Sequence, residues 1–366
     1  MRYPVAKGSP VVVKVGSSSL IGSDGTLDDA AVERVVDHIV AIGARGNPPV
    51  LVTSGSIAAG FPALGMKQRP TEIAELQVAA AIGQTKLVER YASHFADRNL
   101  SVAQVLLTKD VLGNRTQYLN ARSALDRMLS LGVIPVVNEN DTIVVDELKL
   151  GDNDQLAAIT AHLVGAGMLV ILTDTDGLYT DNPRLASDAQ LLSAVEHNDE
   201  ILDRIRRATG VGSLGSGGVA TKVTAARMAA FSGIPTVIAS AKLLGVVVDA
   251  VAGDDVGTWF DPRSDALSAR KLWIAFGLPS VGSISVDDGA VRAIQSGGGS
   301  LLAVGLSDVM GAFSRGDAVE VHDDSGSLVA KGISRFSSTD LSKGAGHHSD
   351  SIGGEVIHRD DLVVLT

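Results

Sequence analysis

Short apolar runs alternate with helix-like segments over the first 262 residues, and this alternation limits the possible folds more than any other feature. Glycine, proline or small polar residues bound most of the runs, which is typical of buried strands. The predicted strands are Val11–Val15, Pro49–Val52, Val102–Leu106, Val133–Val137, Gly167–Leu172 and Thr236–Ala239. Repeated strand–helix alternation gives a mostly parallel sheet covered by helices on both faces. The sequence therefore predicts an α/β fold with three layers, helix–sheet–helix.

Helix boundaries can also be predicted. Thr26–Asp29 resembles a capping box, the apolar residues after it follow a helical period, and Gly43 is a natural stop. Longer helices are predicted from about Thr71 to Ala96 and from about Tyr118 onward. In sheets of this kind, ligands bind beyond the carboxyl ends of the strands.

A lysine interrupts the first of these strands. Lys14 lies between Val13 and Val15, where an unpaired buried ammonium group would cost several kcal/mol. We therefore expect an anion beside Lys14, and the small residues 16–19 offer backbone N–H groups to a phosphate. The alternative is an edge strand from which Lys14 reaches water.

A second lysine follows a glycine-rich loop. Residues 215–218 read Gly-Ser-Gly-Gly and lead into a segment of helical composition, so that Lys222 falls in the first helical turn. A helix N-terminus attracts anions, and a cation there is unfavourable unless it has an anionic partner. A flexible linker is the alternative. A dinucleotide-binding fingerprint does not fit, because no strand precedes the loop, and the chain has no Walker A sequence.

Polar clusters follow the predicted strands. They are Thr53–Gly55, Asn138–Asp141, Gly151–Asp154 and Thr173–Gly177. Ordinary turn chemistry explains any one of them. Together with the two lysines, they predict a site that handles phosphate with a divalent metal held mainly by phosphate oxygens.

Composition excludes several classes of protein. With 366 residues and 45% hydrophobic content, the chain is long enough for two domains. It has no cysteine, which rules out disulfides and thiolate catalysis. A net charge of −11 argues against general nucleic-acid binding. No apolar stretch approaches a membrane span and no signal peptide is recognisable, so we expect a cytoplasmic protein.

Six motifs in the chain resemble those of the glutamate 5-kinase branch of the amino acid kinase family, in the same order. They are residues 12–17, 52–60, 138–141, 151–154, 172–179 and 215–222. The resemblance implies an enzyme that uses ATP and Mg²⁺ to phosphorylate the side-chain carboxylate of L-glutamate, the first step of proline biosynthesis. It also implies feedback inhibition by L-proline and assembly into dimers or tetramers.

The resemblance further implies roles for individual residues. Lys14 and Lys222 would contact the transferring phosphoryl group, with Asp154 orienting both. Glutamate would be bound by Ser54, Asp141 and Asn153, with Asp141 meeting the substrate ammonium group. The implied nucleotide contacts are Lys14, Thr173, Asp174, Ser216, Gly217, Gly218, Val219, Ala220, Thr221 and Lys222, and no protein side chain is expected as a principal metal ligand.

The chain departs from the family at one place. The loop usually reads Gly-Thr-Gly-Gly-Met, whereas this chain has Ser216 and Val219. Serine keeps a hydroxyl and valine keeps an apolar side chain, so we expect altered packing and retained activity.

The texture of the sequence changes beyond residue 262. A turn-rich linker at 263–279 leads to short apolar runs separated by glycine, which predict a small β-rich domain over 280–366. The predicted strands there are Ser283–Val286, Ser300–Val304, Ala318–Val321, Leu328–Ile333 and Leu362–Leu365. This region resembles a PUA domain, with residues 1–262 forming the kinase domain.

Two alternatives remain at this stage. PUA domains elsewhere bind RNA, but residues 280–366 hold 6 Lys and Arg against 12 Asp and Glu, a net charge of −6 that lacks a basic footprint. We therefore predict a regulatory or structural domain that does not bind RNA. His347 and His348 could suggest a metal, although adjacent histidines are more often turn residues. The other alternative is a related kinase acting on N-acetylglutamate, carbamate or UMP, and Asp141 favours a free amino acid instead.

Overall fold

The computed structural model describes residues 2–143, 153–183, 185–196, 199, 201–202, 205, 218–344 and 354–366. These residues form two compact units, Met1–Ala266 and Leu267–Thr366. Within the described residues, no helix combines the length and the apolarity needed to cross a bilayer.

The first unit is built on an eight-stranded sheet. Its strands are β1 (Val11–Val15), β2 (Pro49–Val52), β3 (Val102–Leu107), β4 (Ile134–Glu139), β5 (Met168–Thr173), β6 (Ala194–Val195), β7 (Thr236–Ser240) and β8 (Thr258–Phe260). Their order is β3-β4-β2-β1-β5-β7-β8-β6, and every neighbouring pair is parallel except β7 and β8. The prediction of a mostly parallel sheet is confirmed.

Helices cover both faces of this sheet. They are α1 (Asp29–Ala44), α2 (Ser56–Gly60), α3 (Ile73–Ala96), α4 (Arg115–Ser130), α5 (Asn153–Val164), α6 (Val219–Phe231) and α7 (Val246–Ala252). Helices α1, α3 and α7 pack on one face, while α4, α5 and α6 pack on the other, where α5 contacts both α4 and α6. The predicted three-layer arrangement is therefore confirmed.

Strand β1 lies in the middle of the sheet, between β2 and β5. Val11, Val13 and Val15 are buried in the core that includes α1. Because successive side chains of a strand point to opposite faces, Lys14 points to the other face. Lys14 is only 3% exposed to solvent, so the interpretation that it reaches water from an edge strand is wrong.

The start of α1 differs from the predicted capping box. Asp28 is the N-cap, and its side chain accepts a hydrogen bond from the backbone N–H of Ala30. The hydroxyl of Thr26 instead donates to Asp24 in the preceding turn. Asp28 supplies the cap that was assigned to Thr26, and the helix runs past Gly43 to Ala44, so the predicted stop is one residue early.

The second unit is β-rich, as predicted. Its strands are β9 (Gly282–Val286), β10 (Leu301–Leu302), β11 (Leu306–Met310), β12 (Ala318–Asp323), β13 (Leu328–Ile333), β14 (Glu355–Ile357) and β15 (Leu362–Val364). Five form a sheet in the order β11-β9-β12-β13-β15, and β10 pairs with β14. The helices of this unit are α8 (Ala269–Leu272), α9 (Asp288–Gly297) and α10 (Ser338–Gly344). Helix α8 continues as a π-helical turn over Trp273–Gly277.

Two details of the second unit differ from prediction. The apolar run Ser300–Val304 is only partly a strand, because a 3-10 turn over Ala303–Gly305 separates β10 from β11. The segment predicted as a linker, 263–279, contains α8. The exact domain boundaries stay a prediction.

Candidate functional site

The two lysines singled out in the sequence meet at one carboxylate. Lys14 Nζ is 2.6 Å from Asp154 Oδ1, and Lys222 Nζ is 3.4 Å from Asp154 Oδ2. Lys14 comes from the carboxyl-terminal half of β1, Asp154 from the first turn of α5, and Lys222 from the first turn of α6. Three distant segments therefore converge at one edge of the sheet, which is where a parallel α/β sheet binds ligands.

Thr221 completes the environment of this carboxylate. Its hydroxyl lies 2.7 Å from Asp154 Oδ2 and 2.8 Å from the carbonyl oxygen of Gly218. Gly218 is the N-cap of α6. Thr221 therefore connects the start of this helix to Asp154. The predicted loop–helix junction is confirmed over the described residues, whereas Ser216 and Gly217 lie outside them.

Burial and charge act against each other at this triad. Burial lowers the pKa of Lys14, and the neighbouring Asp154 carboxylate opposes this effect. Burial alone would raise the pKa of Asp154, but the charges of Lys14 and Lys222 outweigh it and hold that pKa below its ordinary value. Asp154 is therefore an ionised carboxylate with no exposure to solvent. Both lysine ammonium groups contact this one carboxylate.

A second group of polar side chains lies beside the triad. Asn153 Nδ2 donates to Ser54 Oγ at 2.9 Å, and Ser56 Oγ donates to Asp141 Oδ2 at 3.0 Å. Burial raises the pKa of Asp141, while the hydrogen bond from Ser56 and the charge of Arg69 oppose the increase. The three residues predicted to bind the amino acid, Ser54, Asp141 and Asn153, thus lie in one part of the fold.

Both groups open into one cavity of about 520 Å³. Its walls include Lys14, Lys222, Ser54, Asp141, Asn153 and Thr173 from the predicted site, together with residues 16–18, 23–25 and 67–69. Asp154 lies beneath this wall rather than in it. Asp174 follows Thr173 directly, and the hydroxyl of Thr173 donates to its Oδ1 at 3.3 Å.

The first two residues of α6 contribute backbone rather than side chains. Val219 is 38% exposed, and neither it nor Ala220 lines the cavity. What this segment offers an anion is the positive dipole end of a 13-residue helix.

Sequence reasoning missed three contributors to the site. Ser56 donates to Asp141, Arg69 lies near enough for its charge to lower the pKa of that carboxyl, and Gln84 connects to Asn153 through Asn138. Asn138 did carry a signal, since it stands in a polar cluster after a strand. Gln84 carried none, because a polar residue inside a long helix is usually solvent-exposed.

The described residues contain no cluster of three or more His, Cys, Asp or Glu side chains suited to hold a metal ion. That no protein side chain is a principal metal ligand stays a prediction. His347 and His348, the other possible metal ligands considered, lie outside the described residues.

Comparisons with known proteins give a family for both units. Residues 9–240 match the model of the amino acid kinase family, and residues 282–355 match the PUA domain model. A glutamate 5-kinase from a Marinomonas species is 48% identical over 373 aligned positions, which cover 100% of both chains. A glutamate 5-kinase from Pelobacter propionicus is 44% identical over 97% of both chains, and one from Pseudomonas fluorescens is 44% identical over 100% of both.

Among solved structures, the UMP kinase of Bacillus anthracis superposes with a TM-score of 0.49 at 15% identity, over 71% of this chain and 98% of that one. This likeness is too weak to bear on the substrate.

Proposed function

The chain belongs to the glutamate 5-kinase branch of the amino acid kinase family, and from this premise we propose how its residues transfer the γ-phosphoryl group of ATP to the side-chain carboxylate of L-glutamate. The products are L-glutamyl 5-phosphate and ADP, and the reaction opens proline biosynthesis. The observation that best supports this mechanism is that Lys14 and Lys222 meet at Asp154 beside one cavity. Ser54, Asp141 and Asn153 line the same cavity.

The two lysines neutralise the charge of the transferring group. The glutamate carboxylate is already a nucleophile, so no base or covalent enzyme intermediate is needed, and bringing two anions together is the main barrier. Lys14 and Lys222 present positive charge from two directions in a partly buried site, where such charge acts more strongly than in water. Asp154 orients both ammonium groups.

The amino acid is held beside the triad. Asp141 pairs with the substrate ammonium group, and Ser54 and Asn153 fix the rest of the amino acid by hydrogen bonds. This orients the γ-carboxylate toward the phosphate, and such positioning supplies a large part of the rate enhancement. A free ammonium group is the feature that Asp141 selects, which disfavours N-acetylglutamate.

The nucleotide lies along the other side of the cavity. The N-terminal turn of α6, from Gly218 to Lys222, binds phosphate oxygens, and Thr173 and Asp174 contact the nucleotide at the end of β5. Mg²⁺ bound together with ATP would neutralise part of the phosphate charge. We place the reaction in the cytoplasm. We also propose that L-proline is a feedback inhibitor and that the protein works as a homo-oligomer.

The test is ADP release from MgATP with hydroxylamine present, which traps an acyl phosphate as the hydroxamate. We expect hydroxamate that depends on L-glutamate and is lost in Lys14→Ala and in Lys222→Ala. Lys86→Ala, which removes an exposed lysine on α3, is the matched control and should keep parental activity. Faster turnover of N-acetylglutamate, carbamate or UMP than of L-glutamate would overturn the substrate assignment.

A further inference from the structure

A single chain of hydrogen bonds runs from the interior of α3 to the candidate amino-acid site. Asn138 Nδ2 donates to Gln84 Oε1 at 2.7 Å, and Asn153 Nδ2 donates to Asn138 Oδ1 at 3.0 Å and to Ser54 Oγ at 2.9 Å. Gln84 and Asn138 are buried, at 8% and 1% exposure. Neither has a role in the chemistry proposed above.

The direction of this chain is fixed by a backbone group. The N–H of Glu139 lies 2.9 Å from Asn138 Oδ1. A backbone N–H can only donate, so the Asn138 amide must place its oxygen there and its NH₂ group toward Gln84. Gln84 must in turn present its oxygen to that NH₂ group.

The same logic sets the polarity of the groups that face the ligand. Because Asn138 Oδ1 takes a hydrogen bond from Asn153, the NH₂ group of Asn153 points into the protein. Asn153 Oδ1 is left buried and, among the described residues, without a hydrogen-bond donor. Ser54 Oγ accepts from Asn153, so its own hydrogen is left to donate into the cavity. Within this chain of hydrogen bonds, the group presented to the cavity is therefore the Ser54 hydroxyl, as a donor.

Resting on the proposed function, we propose that Gln84 is a positioning residue for substrate recognition. It acts through Asn138 and Asn153 so that the hydroxyl of Ser54 donates to one of the carboxylates of L-glutamate. The ligand group that this polarity selects is a carboxylate.

The burial of Gln84 costs folding free energy. Its Nε2 has no hydrogen-bond partner among the described residues, and an unsatisfied buried donor is destabilising. A stability role alone would therefore be served as well by an apolar side chain of similar length. What methionine cannot supply is the acceptor for Asn138.

The experiment compares Gln84→Met with Gln84→Glu in the full chain. Methionine removes the acceptor, and glutamate retains one. We expect Gln84→Met to raise the KM for L-glutamate about tenfold, the usual scale for one lost hydrogen bond, with the KM for ATP unchanged. Gln84→Glu should restore the KM toward the parental value.

Of the two variants, the one with the smaller change in KM should be the less stable. A buried carboxylate costs folding free energy, so Gln84→Glu should melt at a lower temperature than Gln84→Met. A structural role would make the KM follow the melting temperature, whereas a positioning role separates the two. Gln117→Met, the same change at an exposed glutamine on α4, is the control and should leave both KM values at the parental level.

Glutamate affinity measured by calorimetry separates this proposal from the proposed function. If the parent chain phosphorylates L-glutamate but Gln84→Met binds it with parental affinity, the positioning role is overturned and the function stands. If the parent binds L-glutamate without phosphorylating it, the function fails, and the affinities of the two variants still decide the role of Gln84. A parent that does not bind L-glutamate overturns both.

Discussion

Asp154 binds two lysine ammonium groups, one at each of its carboxylate oxygens. Lys14 contacts Oδ1 and Lys222 contacts Oδ2, so the two ammonium groups approach the carboxylate from different sides. A fully buried carboxylate is costly unless it is paired, and the removal of one partner from a buried pair costs more than the pair contributed. The arrangement is therefore sensitive to the loss of Asp154 in a way that an exposed ion pair is not.

Asp154→Asn should lower kcat about 100- to 1,000-fold, comparable to the loss of one oxyanion-stabilising group. The amide keeps the size of the side chain but removes the negative charge that two ammonium groups contact, so the melting temperature should fall as well. The measurement is ADP release at saturating substrates beside thermal unfolding. Thr221→Val, which removes only the hydroxyl near Oδ2, should lose much less activity. Parental kcat in Asp154→Asn would contradict the role assigned to the triad.

Asp141 gives the enzyme a predictable pH dependence. Burial raises the pKa of this carboxyl above its ordinary value of 3.8. A carboxyl with a raised pKa takes up its proton at a higher pH than usual, so the ionised form that pairs with an ammonium group is lost earlier as the pH falls. We predict that the KM for L-glutamate rises as the solution is made acidic, through the raised pKa of Asp141.

Asp141→Asn provides the reference for this measurement, because the substrate carboxylates titrate in both proteins. The variant should have a higher KM throughout and a flatter dependence of log KM on pH than the parent. Parallel pH profiles would show that Asp141 does not titrate in the binding equilibrium.

At the scale of elements, α2 and α3 cross so closely that two glycines are required. A Cβ on Gly83 would overlap the carbonyl oxygen of Ser56, and one on Gly60 would overlap that of Ala79. Ser56 begins α2 and donates to Asp141. The contact between two helix backbones therefore sets the position of a residue that touches the site.

Gly83→Ala should cost about 1–3 kcal/mol of unfolding free energy, the range for overpacking at a site where backbone must move. It should also raise the KM for L-glutamate, because α2 would be displaced together with Ser56. Chemical denaturation and steady-state kinetics measure the two effects. Gly43→Ala is the matched control: this glycine lies in α1 with open space around its Cα, and alanine there should stabilise by up to about 1 kcal/mol. Equal unfolding free energies for Gly83→Ala and the parent would contradict the close crossing.

Local patterns predicted the elements that carry the triad, and they could not predict its surroundings. Lys14 in an apolar run and Lys222 after a glycine loop are both anomalies within a few residues of sequence. Gln84 is not, because its contact with Asn138 depends on how α3 lies across the end of β4, which is a property of tertiary packing. The capping residue of α1 was misplaced for a related reason, since Thr26 and Asp28 are both good caps and only the turn made with Asp24 decides between them.

At the scale of the whole molecule, each unit has its own hydrophobic core. In the first unit the core joins β1, β2, β5 and β7 to α1, α3 and α7, and in the second it joins the five-stranded sheet to α9 and α10. All described residues of the candidate site belong to the first unit. Folding of the catalytic part should therefore not depend on apolar surface supplied by the second.

We predict that a chain ending at Ala266 folds and still forms hydroxamate in a glutamate-dependent way. The truncation ends between the two compact units and leaves the triad, the cavity and the core of the first unit complete. Circular dichroism with thermal unfolding reports on folding, and hydroxylamine trapping reports on the chemistry. The same truncation carrying Lys222→Ala is the control for residual activity and should be inactive. A truncated chain that unfolds cooperatively but makes no hydroxamate would place a required part of the catalytic machinery in the second unit, against the assignment made from the geometry of the first.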